Sequence, residues 1–366
     1  MKVLHLISGG ETGGSKNHLI SLLEQFPKGE IVLGVMQKGQ LYEEAVAAGL
    51  DVQLFRQNSR YDLSILATIS TFIKNENISI MHTHGPRANL LGFFIKKRVR
   101  CLWVTTVHSD PRDDFINGGI KGKLFTKLNL TILKKLDFYF AVSNRFKDML
   151  VEFGIDGNKI KAIYNGISFD EPVSNKLDRA SIGVEDSDFV IAMVARLHPI
   201  KGHTEVLRVV KKLVDQKVPV KLLLIGDGPY KDEVVKKIQE HDLSDSVKLL
   251  GFQKDVHAFF QVSNVKLLAS YSESFPLVIL EAARAKTPVI STDVGGVKDL
   301  ISDSSLGWVV PVKDEEALFQ AILDAYNKFK QGELDRVGTK LYEKASTTYS
   351  IDQLYHEVQN QYAELL

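Results

Sequence analysis

The feature that most constrains this chain is a rhythm of hydrophobicity that is run through twice. In the first half, short apolar runs at Val3–Ile7, Ile31–Met36, Val52–Phe55, Ile78–His82, Leu102–Val107 and Phe138–Val142 alternate with amphipathic stretches such as Lys16–Gln25, Leu63–Ile73 and Arg145–Phe153. The second half repeats the pattern, with runs at Phe189–Val194, Lys221–Ile225, Ser246–Leu250, Val265–Leu268 and Val289–Ser291 between helical stretches at Thr204–Asp215, Tyr230–His241 and Leu277–Ala285. A short, uniformly apolar run framed by helical periodicity predicts a strand buried on both faces, joined to the next by a crossover helix. Two such series predict two doubly wound α/β domains. The polar, aperiodic stretch Ser168–Ala180, which contains Pro172, is where they should join. The expected boundaries are 1–170, 171–348 and a terminal helix over 349–366 that crosses back to the first domain.

Charge and composition then remove whole classes of function. Among 366 residues there are 46 Lys plus Arg against 45 Asp plus Glu, a net charge of +1, which argues against a dedicated nucleic-acid binder. A single cysteine, Cys101, excludes a disulfide framework and fits a reducing compartment. The apolar run after Met1 is too short for a signal peptide, and no stretch has the length needed to span a bilayer. The expected location is cytoplasmic, with a peripheral position on the inner face of the cell membrane as an option.

In open α/β sheets ligands bind beyond the carboxyl ends of the strands. Three such places carry chemistry. The first strand runs into Ser8-Gly9-Gly10-Glu11-Thr12-Gly13-Gly14-Ser15 before a helix, where glycines let backbone N–H groups approach a ligand and the helix start favours phosphate. The spacing is neither G-x-G-x-x-G nor a Walker loop, so a dinucleotide or P-loop site is disfavoured. The plain alternative is a tight turn. Strand Phe189–Val194 runs into Ala195-Arg196-Leu197-His198-Pro199-Ile200-Lys201-Gly202, whose two cations suit a diphosphate, unless they are ordinary solvated side chains. Strand Val265–Leu268 leads to Glu273 in a loop, Pro276 at a helix start and Glu281 about a turn further on. Two carboxylates there can accept hydrogen bonds from sugar and ribose hydroxyls, and the free N–H groups of Leu277 and Val278 can hold phosphate. Taken alone, both acids could equally be surface residues.

Glu273-Ser274-Phe275-Pro276, then Glu281-Ala282, Thr287-Pro288-Val289-Ile290 and Gly295-Gly296, resembles the E-x7-E signature of the retaining GT-B glycosyltransferases of family GT4. The N-terminal glycine loop, Tyr164-Asn165-Gly166-Ile167, Ala195-Arg196-Leu197 with Lys201-Gly202, Ile225-Gly226-Asp227-Gly228-Pro229 and Leu250-Gly251-Phe252 follow in the family's order, so the likeness spans essentially the whole chain. Lys286 stands where the family usually has Gly, and Pro276 where Gly is commonest. The resemblance implies a GT-B architecture, two Rossmann-like domains facing a central cleft, and retention of anomeric configuration. It implies that Gly13 and Gly14 approach the donor phosphates, Arg196 and Lys201 bind the diphosphate, Glu273 holds sugar hydroxyls with backbone help from Phe275, Pro276, Leu277 and Val278, and Glu281 binds the ribose. The base would lie near Gly251 and Phe252. His108 matches the active-site histidine, while His84 and Asn165 are acceptor-side candidates. The departing phosphate oxygen would take the acceptor's proton.

Three further features are ambiguous. His82-Thr83-His84 places two imidazoles on one strand face, yet neither a cysteine nor a nearby carboxylate completes a metal site, and His82 reads better as a core histidine. Asp186-Ser187-Asp188 matches the D-x-D of metal-dependent sugar transferases but precedes a strand, which fits a solvated turn. No metal and no cofactor are therefore expected. Lys96–Lys135 holds ten basic and three acidic residues, and Ile120, Leu124, Leu128 and Ile132 recur every four, with Phe125 beside them. That is an amphipathic basic helix, suited either to an anionic membrane surface or to ordinary docking on a sheet.

The function expected is hexosyl transfer from a nucleoside-diphosphate sugar (UDP first, GDP or ADP as alternatives) to a hydroxyl on a lipid-linked or cell-surface glycan precursor. The alternatives are a nucleotide-sugar epimerase or hydrolase of the same architecture, and a non-catalytic sugar-nucleotide-binding component of a glycan assembly complex.

Overall fold

The computed structural model describes residues 1–10, 14–57, 62–112, 119–170 and 177–366. They form two compact units, Met1–Gly166 together with Ile351–Leu366, and Ile167–Ser350.

The first unit holds a seven-stranded sheet of β1 (Val3–Ile7), β2 (Ile31–Val35), β3 (Val52–Leu54), β4 (Ile80–His84), β5 (Leu102–Val107), β6 (Phe138–Ala141) and β7 (Ile160–Ala162), in the order β3-β2-β1-β4-β5-β6-β7. Every neighbouring pair is parallel. The helices between them are α1 (Gly14–Leu23), α2 (Gln40–Ala47), α3 (Ser64–Asn75), α4 (Gly85–Lys96), α5 (Gly119–Leu133) and α6 (Asn144–Glu152). Their apolar stripes build one core on each face. On one side Leu4, Leu6, Met81 and Trp103 meet Ile69, Leu91 and Leu150. On the other Val3, Ile7, Ile80 and Val104 meet Leu19 of α1 and Val358 and Tyr362 of α14 (Ile351–Leu365), the helix that ends the chain.

The second unit repeats the plan with β8 (Phe189–Val194), β9 (Val220–Ile225), β10 (Val247–Gly251), β11 (Val265–Leu268), β12 (Val289–Thr292) and β13 (Trp308–Val310), ordered β10-β9-β8-β11-β12-β13, again parallel throughout. Its helices are α7 (His203–Asp215), α8 (Lys231–Glu240), α9 (His257–Gln261), α10 (Leu277–Arg284), α11 (Val297–Leu300), α12 (Glu315–Gln331) and α13 (Leu334–Thr348).

The fold is therefore the expected pair of Rossmann-like sheets. The sequence pattern does not mark the edge strands β7 and β13, which at three residues are too short to show a period, nor helix α13. β4 also runs two residues beyond the expected end at His82, so His84 belongs to the strand.

The topology has one direct consequence. In each sheet the first strand of the series lies between two neighbours, and the order of connection reverses beside it: between β1 and β4 in one, and between β8 and β11 in the other. A crevice opens at the carboxyl ends of such a pair, because the following loops diverge to opposite faces.

Candidate functional site

In the second unit the reversal lies between the two loops singled out from sequence. β8 delivers Arg196 and Lys201, and β11 delivers Ser270 and Glu273. The loops are tied by backbone hydrogen bonds. Tyr271 N donates to Ile200 O (2.8 Å), and Leu197 N to Asp227 O (2.9 Å) on the loop after β9. Gly202 has φ +75°, and a Cβ there would lie 2.2 Å from Ala269 O. Only glycine lets α7 start this close to the end of β11.

This approach brings Lys201 Nζ within 2.5 Å of Glu273 Oε1, and Ser270 Oγ donates to the same oxygen at 2.6 Å. Glu273 Oε2 has no hydrogen-bond partner among the described residues. The carboxylate is thus held rigidly by one oxygen and offers the other. Gly295, with φ +53°, packs where a Cβ would lie 2.0 Å from Ser274 O, so the Asp293–Gly296 turn fixes this loop from behind.

Beyond the loop, Pro276 occupies the N-cap position of α10. The N–H groups of Leu277 and Val278 fall in the first turn, which has no intrahelical acceptors for them. Phe275 is buried with its ring stacked on Tyr349 (5.3 Å between centroids), so only its backbone can serve a ligand. Glu281 is half-buried, one turn into α10. Arg196 is exposed and makes no ion pair among the described residues. Gly251 ends β10 with φ +65°, and Phe252 beside it is 76% exposed, an aromatic face open to a planar ligand.

One residue of this site was missed. Lys266 is wholly buried in β11, its Nζ donating to Leu267 O at 2.9 Å. Burial pulls its ammonium down to about 7, against the opposing pull of Glu273 and, more weakly, Glu281. A charged residue interrupting the apolar run Val265–Leu268 was the available signal. Asp186 and Asp188 lie at the amino end of β8, away from these loops. Asp188 Oδ2 accepts from Glu185 N at 2.8 Å, which closes a turn there.

In the first unit Gly14 begins α1, whereas Gly13 lies outside the described residues. Asn165 is buried near the end of that unit. His84 and His108 meet, His84 Nδ1 lying 3.2 Å from His108 Nε2. His5, His82 and His84 are buried and stacked, with centroids 4.7 Å apart for His5 and His82 and 4.5 Å for His82 and His84. His5 is the third imidazole that the sequence reading of His82-Thr83-His84 did not find. A polar residue in the middle of the apolar run Val3–Ile7 was its only trace. The ring nitrogens of the three lie within 4.8 Å of one another, a spacing a metal could use. Here those nitrogens are already engaged with one another, Thr106, Tyr362 and His108. Burial holds His5 at about 3 and His108 at about 4, and His82 and His84 well below the usual imidazole range, so all four are neutral at pH 7.

Comparison with known proteins agrees with this geometry half by half. Residues 174–336 match the family described as "Glycosyl transferases group 1", and residues 12–171 match "Glycosyltransferase Family 4". The N-acetyl-alpha-D-glucosaminyl L-malate synthase of Bacillus anthracis is 27% identical over 323 residues, covering 84% of this chain and 80% of that protein. The UDP-Gal:alpha-D-GlcNAc-diphosphoundecaprenol alpha-1,3-galactosyltransferase of Escherichia coli is 26% identical over 272 residues, covering 72% and 70%. HepE of Anabaena, solved with UDP, superposes with a TM-score of 0.86 over the whole of both chains at 18% identity, and its UDP-glucose complex with 0.84 at 20%.

Proposed function

This chain is a GT-B glycosyltransferase of the GT4 kind, and from that premise we propose that it moves a hexosyl unit from a UDP-sugar to a hydroxyl of a lipid-linked glycan precursor, with retention and without a metal ion. The observation that carries the reading is the mounting of Glu273. Lys201 and Ser270 occupy one carboxylate oxygen, and the other is open at the switch point of the sheet. A carboxylate so fixed binds a donor hydroxyl in one orientation, which is what positioning catalysis requires.

The roles divide by position. Arg196, Lys201 and the first turn of α10 offset the charge of the departing diphosphate. Glu281 holds the ribose, and Phe252 with the backbone at Gly251 receives the base. The leaving phosphate oxygen takes the acceptor proton, so the protein need not supply a base. HepE was solved with UDP and UDP-glucose, which favours uridine here.

The acceptor side rests on α5. Leu124, Phe125 and Leu128 are 67%, 45% and 41% exposed, with Lys121, Lys123 and Lys127 exposed among them. Beside α5 lies a cavity of about 520 Å³, lined in part by Arg112, Lys123, Lys127 and Lys134. Exposed apolar residues interleaved with lysines suit the interface of an anionic bilayer. The E. coli relative is named for a diphosphoundecaprenol substrate, in keeping with such a surface. No helix among the described residues is long and apolar enough to cross a membrane.

The test is a panel of UDP-, GDP- and ADP-sugars with and without lipid-linked acceptors, in EDTA, using wild type and Glu273→Gln. The reading expects acceptor-dependent transfer from a UDP-sugar that survives EDTA and falls by about 10²-fold or more in the variant. Free sugar or an epimer formed from donor alone would replace it with the hydrolase or epimerase reading. Flotation with anionic vesicles tests α5, and failure to bind them would remove the membrane from the proposal.

A further inference from the structure

The His5 face of the first sheet carries a continuous hydrogen-bonded chain that the transfer chemistry leaves unassigned. Register pairs His5 with His82 and His84 with Thr106, so these side chains share one face of β1, β4 and β5. Tyr362 of α14, wholly buried, inserts its hydroxyl among them. Five links follow in series. Thr106 Oγ1 meets His82 Nε2 (2.7 Å), and His82 Nδ1 meets Tyr362 Oη (2.5 Å). Tyr362 Oη meets His5 Nε2 (3.1 Å), and His5 Nδ1 meets His84 Nε2 (3.0 Å). The chain ends at His108 Nε2, 3.2 Å from His84 Nδ1.

Proton counting makes every link of this chain point the same way. A neutral imidazole carries one N–H and one bare nitrogen, and a hydroxyl carries one hydrogen. Each link needs one hydrogen, so the direction set at one end passes through every member to the other. The Thr106 hydroxyl meets no acceptor other than His82 Nε2 among the described residues, and we take it as the donor there. His82 Nδ1–H then donates to Tyr362, Tyr362 to His5 Nε2, His5 Nδ1–H to His84 Nε2, and His84 Nδ1–H to His108 Nε2. The remaining hydrogen sits on His108 Nδ1, the nitrogen that faces away from the chain on a half-buried ring at the carboxyl end of β5.

We propose that Tyr362 and Thr106 are positioning residues which hold His108 in its Nδ1–H tautomer, so that it presents a hydrogen-bond donor, and not a base, to a substrate oxygen. The identity of that oxygen, on a sugar or its acceptor, rests on the transferase reading; the tautomer does not. Neighbouring groups leave the count intact. His18 stands edge-on to His108 at 6.3 Å between centroids and is itself held neutral, at about 3, chiefly by burial. No carboxylate is hydrogen-bonded to any member of the chain among the described residues to stabilise an imidazolium.

The experiment is nitrogen NMR of the full chain carrying ¹⁵N-labelled histidine, at pH 7, with His108 assigned by its loss in His108→Asn. Wild type should show His108 protonated at Nδ1 and bare at Nε2. Tyr362→Phe cuts the chain in the middle and Thr106→Val removes its first donor. Each should shift the His108 nitrogens toward a mixture of tautomers and lower turnover by about tenfold, the worth of one oriented hydrogen bond. Thr106→Val, at the half-buried end, keeps the test available if Tyr362→Phe does not fold. An Nε2–H tautomer in wild type, or His108 signals unmoved in either folded variant, would overturn the proposal. The predicted tautomers without any transfer activity in wild type would strike the transferase reading alone.

Discussion

Lowering the pH from 7.5 to 5.5 should unfold the first unit well before the second. His5, His18, His82 and His84 are at most 6% exposed, and burial keeps their neutral forms: His5 and His18 at about 3, His82 and His84 well below the ordinary 6.5. In the unfolded chain each would take up a proton near 6.5, whereas in the fold it does not, so stability is full above 6.5 and is lost as the pH falls toward the folded value. At pH 5.5 one such histidine costs about 1.4 kcal/mol, and four cost about 6 kcal/mol. That is comparable with the whole stability of an ordinary domain, about 5–15 kcal/mol. His108, half-buried and at about 4, adds in the same direction but is left out of the sum. The titratable groups facing the four are one another, His108 and Tyr362, none of which supplies a compensating negative charge.

The chain has two tryptophans, Trp103 in the first unit and Trp308 in the second, which makes the assay direct. In Trp308→Phe, urea unfolding followed at Trp103 should lose about 6 kcal/mol between pH 7.5 and 5.5. In Trp103→Phe, the Trp308 signal should change by less, because among the described residues the second unit buries two histidines, His203 (pulled down to about 4) and His257, against the first unit's four. A loss at Trp103 below about 1.5 kcal/mol, the share of one histidine, would refute the reasoning.

Three other perturbations follow from the donor site. Lys266→Met should raise the stability of the second unit at pH 7. In wild type that stability should climb between pH 7 and 10.5, where the unfolded lysine binds a proton that the folded one at about 7 does not, by up to about 1.4 kcal/mol per unit; the variant should lack the climb in urea midpoints read at Trp308. Gly295→Ala forces a methyl against Ser274 O at positive φ, so it should cost about 1–3 kcal/mol and weaken donor binding, measured by calorimetry beside a thermal melt. Glu281→Ala should weaken UDP binding by about tenfold with little change in the melt, and unchanged affinity would remove Glu281 from the ribose.

The two series of strands were legible because a parallel strand buried on both faces must be apolar along its length, and its flanking helices must be apolar along one stripe. Those are local demands, and Val3–Ile7, Leu102–Val107, Phe189–Val194 and Val265–Leu268 fall at the expected residues, although His5 and Lys266 interrupt two of them. The loops after β8 and β11 were legible for the same reason, since a strand end and a helix start bracket each. The strand order was not, because it depends on which faces meet across the chain. That order sets Lys201 against Glu273, 72 residues away, and leaves one carboxylate oxygen open. It also brings His5, His84 and Tyr362 together, the second 79 positions and the third 357 positions along from the first. Lys266 and His5 look like faults in apolar strands until their neighbours are known. The sequence by itself determined the elements and the addresses of the loops, because burial leaves a local period. Tertiary structure alone decided which polar groups share a buried space and so which protons and charges they keep, because desolvation and hydrogen bonding act between residues that the chain holds far apart.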